Sequence, residues 1–172
     1  VDNTAVGHLA LTSSTTGRAN TMHGREAGYS ITTSNYNTAV GGEALRTMST
    51  GDTNCVAVGY NALFNATGVN NTGLGMNAGN LISTGTLNTC VGQDSDVGAN
   101  DAVNQTVVGS GIGGVVDVDN SVVLGDSSVT AVYMAEDSGA VVYCSGVNFP
   151  DTQAASADAN TLDDYEEGTF EG

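Results

Sequence analysis

The chain has 172 residues, 24 of them glycine, and carries 19 acidic side chains against three basic ones, for a formal net charge of -16. Nucleic-acid binding depends on Lys and Arg neutralising phosphates, so a chain with only Arg18, Arg25 and Arg46 is not expected to bind it. The charge would also repel an anionic membrane surface, and no apolar run approaches the roughly 20 residues that a membrane span needs. A neutral glycan or a protein remains possible as a partner.

A repeat organises the chain from its first residues to about residue 126. Its central glycine recurs every 16 to 18 residues, at Gly7, Gly24, Gly41, Gly59, Gly75, Gly92, Gly109 and Gly125. Self-similarity at so short a period is typical of solenoids, whose units bury their apolar sides against their neighbours. The Gly, Thr, Asn and β-branched content disfavours helices. The sequence therefore predicts an all-β protein over residues 1–126, a parallel β-solenoid or β-roll of about eight coils with repeats of about 17 residues.

A short strand is predicted immediately before each glycine. Three positions before the glycine stand Thr4, Thr21, Thr38, Val56, Thr72, Thr89, Thr106 and Val122. One position before it stand Val6, His23, Val40, Val58, Leu74, Val91, Val108 and Leu124. The residues between these two sets are Ala5, Met22, Ala39, Ala57, Gly73, Cys90, Val107 and Val123.

Because side chains alternate along a strand, the first two sets share one face and the third set occupies the other. Both faces are nearly apolar, so we expect one to pack inside the coil and the other against a neighbouring copy of the chain. We interpret the face of Thr and Val residues, with His23, as the inward one.

Asparagine precedes most of these strands. This column consists of Asn3, Asn20, Asn37, Cys55, Asn71, Asn88, Gln105 and Ser121. Stacked Asn side chains can hydrogen-bond along a stack and tolerate turn conformations, so a structural role at a corner is favoured over ligand binding. A second strand or a turn should follow each glycine. Polar loops at 12–17, 47–51 and 65–68 are expected at the outer edge.

The cysteines are not expected to form a disulfide within the repeats. Cys55 and Cys90 lie two coils apart, or about 9–10 Å along the stack. A disulfide needs Cα atoms within about 7 Å, so both should be buried thiols. Cys144 lies outside the repeats, and the pattern does not place it.

The C-terminal part departs from the repeat. Residues 127–149 alternate apolar and small polar residues, which predicts a β-hairpin-like cap on the array. Residues 150–172 are acidic and should form an extended tail. The chain starts inside a repeat, so we expect it to be part of a longer protein.

Two motifs carry a resemblance to known families. The segments 37–45 and 56–63 resemble repeats of trimeric bacteriophage tail fibre proteins, and 120–125 is similar to the repeat of trimeric autotransporter adhesin heads. Residues 162–170 resemble a segment of tail fibres and tail spikes that leads into a further C-terminal domain. The resemblance implies a left-handed β-roll, a homotrimer, location in the virion and a host cell-surface glycan or protein as receptor. A bacterial surface adhesin is the alternative.

Catalytic and metal chemistry have little support. The two histidines, His8 and His23, accompany no nucleophile motif, so no enzymatic activity and no cofactor are expected. The pairs Asp94 with Asp96 and Asp117 with Asp119 offer hard oxygen ligands for Ca²⁺, although a solvated acidic surface is favoured. The Thr column also suggests a non-adhesive or ice-binding solenoid, which the inward interpretation of that column disfavours.

Overall fold

The computed structural model describes residues 2–48, 51, 54–113 and 118–130, and all structural statements concern these residues. The described chain forms eight strands of three residues each: β1 (Thr4–Val6), β2 (Thr21–His23), β3 (Thr38–Val40), β4 (Val56–Val58), β5 (Thr72–Leu74), β6 (Thr89–Val91), β7 (Thr106–Val108) and β8 (Val122–Leu124). They make one sheet in the order β1 to β8. The predicted parallel β-solenoid is confirmed.

Equivalent positions of successive coils lie in register. Thr21 pairs with Thr38, and Thr72 pairs with Thr89, each one repeat later in the sequence. Every pair of neighbouring strands is parallel, which requires a connection of a dozen residues or more; the rest of each coil supplies it. Seven spacings of about 4.8 Å give the sheet a length of about 34 Å.

The middle residue of each strand from β2 to β7 is buried inside the coil, which corrects our interpretation of the Thr and Val face. Met22, Ala39 and Val107 are fully buried, whereas Thr21 and Val40 on either side of the middle position are exposed. Most of the inward residues are small, because the sheet and the turns of a coil lie close together. At Gly73 an added Cβ would lie 2.7 Å from the carbonyl oxygen of Ala78, on the turn of the same coil. Glycine is therefore required at this position, and the middle set faces the core while the Thr and Val set faces outward.

The core is a thin column between the sheet and the turns. The turns contribute a row of buried alanines and leucines: Ala27, Ala44, Leu45, Ala62, Leu63 and Ala78. Met22, Ile31, Met48 and Ile82 supply the larger buried side chains. Stacking of such small layers gives a solenoid its continuous core.

The segment after each glycine is a turn rather than a second strand. In the third coil, Glu43 and Leu45 adopt left-handed conformations, with φ of 59° and 52°. These conformations aim backbone groups along the stack: the amide of Glu43 donates to the Arg25 carbonyl at 2.8 Å, and that of Leu45 to the Ala62 carbonyl at 3.1 Å. Left-handed backbone costs a residue other than glycine about 1–2 kcal/mol, which the hydrogen bonds between coils offset.

The repeat glycine allows the coils to approach closely. Gly41 has a φ of 136°, and a Cβ there would collide with the carbonyl group of Gly59 in the next coil. The same contact recurs from Gly7 to Gly24 and from Gly59 to Gly75. Glycine is thus required at this position by backbone contact between coils.

A ladder of buried asparagines holds the corner before each strand. Asn20 accepts hydrogen bonds from the backbone and side-chain amides of Asn37 at 3.0 and 3.1 Å. Its own side-chain amide donates to the Ser34 carbonyl at 2.8 Å. Asn71 and Asn88 repeat this pattern. Each amide therefore links its own coil to the next one.

Cys55 and Cys90 carry thiols and are fully buried. Cys55 occupies one rung of the asparagine ladder, where its Sγ accepts from the Asn71 amide at 3.4 Å. Burial raises the pKa of Cys55 to about 11 and that of Cys90 to about 12.

The remaining predictions for the C-terminal part fall largely outside the described residues. Of the cap predicted over 127–149, only 127–130 are described, and they contain no strand. The tail at 150–172, Cys144 and the segment 162–170 lie outside. No helix in the described ranges is long and apolar enough to cross a bilayer.

Candidate functional site

The outward face of the sheet is the most regular exposed feature of the described chain. We define it as the residues one and three positions before each repeat glycine, which project from β1 to β8 away from the core. Its apolar members are substantially exposed: Val6 is 52% and Leu74 is 48% accessible. Thr and Val side chains thus form two parallel rows along the about 34 Å of the sheet.

No charged residue occurs on the outward face, although the chain has a net charge of -16. Its most polar member is His23, which is exposed and not inward as expected. The acidic residues of the described chain lie instead in the turns and loops. This face is therefore the surface where a second strongly acidic molecule can approach with the least local repulsion.

Large apolar residues extend the face on both sides. Tyr36 and Leu87 occupy the column five positions before the glycine, and Tyr60 and Met76 directly follow a glycine. All four are exposed, with Tyr36 at 62%. Most of the exposed large hydrophobic residues in the described ranges belong to the outward face or to these flanks. An apolar surface this continuous is typical of an interaction site.

A charged cluster crosses the turns of the second and third coils. Arg25 bridges Glu26 and Glu43, and Arg46 bonds Glu26 at 2.8 Å. The Arg46 guanidinium also lies 5.2 Å from the Tyr29 ring centroid and 5.6 Å from that of Phe64. The hydrogen bond from Arg46 lowers the pKa of Glu26. Because the arginines and glutamates of the cluster form ion pairs with one another near the surface, the cluster links neighbouring turns and offers no reactive group.

The loops predicted to face outward do so only in part. Thr15, Gly51 and Thr67 are exposed, but Gly17 and Gly68 are buried at the corners of the coil. Two of these loops, at 47–51 and 65–68, contribute Thr47, Asn65 and Thr67 to an open groove on the turn side of the solenoid. The sequence indicated the loops but not the groove, because the residues that complete it come from two later coils.

The calcium candidates are not brought together as a ligand set. The Asp94 carboxylate accepts from Asn77, and Asp96 accepts from the backbone amides of Leu81 and Val97 at 2.7 and 3.0 Å. Asp119 accepts from the Val103 amide, and Asp117 lies outside the described residues. Burial raises the pKa of Asp96 to about 6, whereas hydrogen bonds from Asn77 and Gln93 lower that of Asp94. Within the described ranges no three acidic, His or Cys side chains form a group suited to a metal ion.

No protein-family model matches the chain, and searches of curated proteins and of solved structures returned no match.

Four exposed residues of the flanks had no predicted role: Tyr36, Leu87, Tyr60 and Met76. Each stands at a fixed offset from a repeat glycine, which is visible in the sequence. That offset indicates an exposed flank only once the outward face of the sheet is known.

Proposed function

We propose that the chain is a structural and adhesive segment of a trimeric fibre, in which three copies pack through their outward faces. The observation that carries this proposal is the exposed, charge-free apolar face on an otherwise acidic chain. Burying such a surface gains roughly 25 cal/mol per Å² of apolar area. The resemblance of segments 37–45 and 56–63 to phage tail fibre repeats supports a virion location.

The shape of the apolar surface favours more than one neighbour for each copy. The outward face is about 34 Å long but only about 10 Å wide, well below the roughly 800 Å² that each partner contributes to a standard interface. In a trimer each copy has two neighbours around the axis. One flank, with Tyr36 and Leu87, would contact the first neighbour, and the other flank, with Tyr60 and Met76, would contact the second. A left-handed winding of the coils remains a prediction from the resemblance.

The substitution Leu74→Lys tests the assembly. It places three like charges at the centre of the proposed interface, so the trimer should dissociate to monomers at micromolar concentration in sedimentation equilibrium. Leu81→Lys is the matched control, because Leu81 is an equally large residue of the same repeat, is 42% exposed and lies off the face. It should leave the trimer intact. A wild-type monomer at micromolar concentration would refute the proposal.

Salt provides a second test of the same assembly. Copies carrying -16 each repel at long range, and the screening length falls from about 30 Å at 0.01 M salt to about 8 Å at 0.15 M. The dissociation constant of the trimer should therefore fall as salt is added over this range. A trimer held mainly by ion pairs would show the opposite trend.

Within this proposal the turn side and its loops present the receptor-binding surface. A bacterial surface adhesin would use the same architecture, and blocking of phage adsorption by the purified chain distinguishes the two. Failure to block adsorption on any host would count against the phage assignment.

Ice binding is a second candidate, favoured by one specific observation. The Thr row lies on the outside of the sheet with threonines in register, as in the pairing of Thr21 with Thr38. The two candidates exclude each other, since a trimer would cover the row. Thermal hysteresis of the purified wild-type chain measures this directly, and its absence removes ice binding.

A further inference from the structure

The groove on the turn side is built from four successive coils. Its residues stand at similar offsets after the repeat glycine: Thr47, Asn65, Thr67, Asn80, Leu81, Ser83 and Asn100. The groove is open to solvent and has a volume of about 430 Å³, within the roughly 300–1,000 Å³ range of small-molecule sites. We call it the corner groove.

Several polar groups in the corner groove are held in place by bonds between coils. The Thr67 hydroxyl donates to the Ser83 carbonyl at 3.1 Å, and the Thr47 hydroxyl donates to the Phe64 carbonyl at 2.7 Å. The Asn65 amide donates to the backbone and side-chain oxygens of Asn80, at 2.9 and 3.1 Å. These bonds fix the direction of the hydroxyl protons and leave oxygen lone pairs for a ligand.

Other polar groups in the groove have unused hydrogen-bonding capacity. Within the described residues, the side-chain amide nitrogen of Asn80, the Ser83 hydroxyl and the side-chain amide of Asn100 make no hydrogen bond to the protein. The groove therefore offers donors and acceptors side by side, as sugar hydroxyls require, since each hydroxyl both donates and accepts. Leu81, 42% exposed, adds an apolar surface of the kind a sugar ring can pack on.

The lining carries no charge, which narrows the ligand class. None of its seven residues is acidic or basic, while the whole chain has a net charge of -16. An anionic ligand would meet a repulsive field with no basic residue in the groove to offset it. A cationic ligand would find no carboxylate among the lining residues.

We propose that the corner groove binds a short, uncharged oligosaccharide. The inference rests on the proposed receptor-presenting function and names the receptor chemistry. Sugar hydroxyls replace water on Asn80, Ser83 and Asn100, and the ring packs on Leu81. The groove lies within one chain, so binding does not depend on the assembly of copies.

Titration of the ¹⁵N-labelled full chain with uncharged hexose and N-acetylhexosamine oligosaccharides of two to five units tests the proposal. The side-chain amide signals of Asn80 and Asn100 should shift with saturation. Ser83→Ala and Asn80→Asp should each raise Kd roughly 2- to 10-fold, the effect of losing one hydrogen bond. Thr84→Ala, at an adjacent exposed residue that does not line the groove, is the control and should leave Kd unchanged.

Three outcomes would overturn the inference. They are an absence of shifts at Asn80 and Asn100 across the panel at millimolar sugar, a Kd that Asn80→Asp leaves unchanged, and tighter binding of uronate or sialylated sugars than of neutral ones. Leu74→Lys separates the two proposals, because it should abolish the trimer and leave sugar binding intact. Loss of binding in that variant, with its amide spectrum otherwise preserved, would show that the groove of a single chain is insufficient.

Discussion

Replacing one buried ladder residue, by Asn71→Ala, measures how much the asparagine column holds the coils together. Asn71 is fully buried; its side-chain oxygen accepts from the backbone and side-chain amides of Asn88 at 3.0 and 3.2 Å. Its amide nitrogen donates to the Gly85 carbonyl at 2.8 Å. Truncation leaves the Asn88 backbone N–H and the Gly85 carbonyl without these partners in a buried corner.

Each buried polar group that loses its partner costs about 1–3 kcal/mol. Two such groups give an expected loss of about 2–6 kcal/mol in the free energy of unfolding, before any contribution from the small cavity. Guanidinium denaturation at one fixed protein concentration measures it, because assembly makes stability concentration-dependent. Asn65→Ala is the control: its amide is exposed, and the loss should stay within about 0.5 kcal/mol.

Amide hydrogen exchange gives a local readout of the same change. The Asn88 backbone amide should lose protection in Asn71→Ala while the amides of the first two coils keep theirs. A loss of less than about 1 kcal/mol in Asn71→Ala, or an Asn88 amide as protected as in the wild type, would show that the ladder does not hold the coils together.

One substitution in the asparagine ladder is expected to raise the free energy of unfolding. Cys55 bonds more weakly than its Asn neighbours: its Sγ donates to the Gly68 carbonyl at 3.5 Å and accepts from Asn71 at 3.4 Å. Cys55→Asn should raise the free energy of unfolding by about 0.5–1.5 kcal/mol, since amide hydrogen bonds replace those of a weak sulfur donor and acceptor. A loss of stability would show that the corner cannot accept the amide.

Three further predictions follow from single positions. Gly41→Ala should lower the free energy of unfolding by more than about 2 kcal/mol in denaturant melts, because its Cβ meets the backbone of the next coil. Gly113→Ala is the control and should cost little, since the space around Gly113 is open. Equal costs for the two substitutions would show that close approach of the coils does not require glycine. Burial raises the pKa of Cys90 to about 12, so this thiol should resist alkylation at pH 8 until the chain is unfolded. Peptide mass mapping measures the labelling. Labelling of the folded chain at the rate of the unfolded chain would contradict the burial of Cys90. Asp96 should titrate near pH 6 in carboxyl ¹³C spectra, while Asp94 titrates below its usual value. Because burial raises the folded pKa of Asp96, its contribution to stability is complete below about pH 4 and is lost as the pH rises through 6. A titration midpoint of Asp96 near pH 4 would refute this prediction.

The fold of the repeat region could be predicted from the sequence because its signal is local and repeated. The glycine spacing gives the coil length, and the three residues before each glycine give the strand. The Asn column follows in the same way: residues at one offset must stack when coils repeat in register. Each of these features is repeated coil after coil, so one deviation such as Cys55 does not obscure the pattern.

Tertiary structure alone decided which strand face is inside. Alternation separates Thr38 and Val40 from Ala39 but does not say which side meets the core. The structure settles it: the middle residue of a strand meets the turn of its own coil, as the contacts at Gly73 and the full burial of Met22 show. The corner groove was hidden for a related reason: Asn65, Asn80 and Asn100 are distant in sequence and become neighbours only when coils stack. Periodicity thus determines how this chain winds, while the thickness and stacking of its coils determine which residues it shows to other molecules.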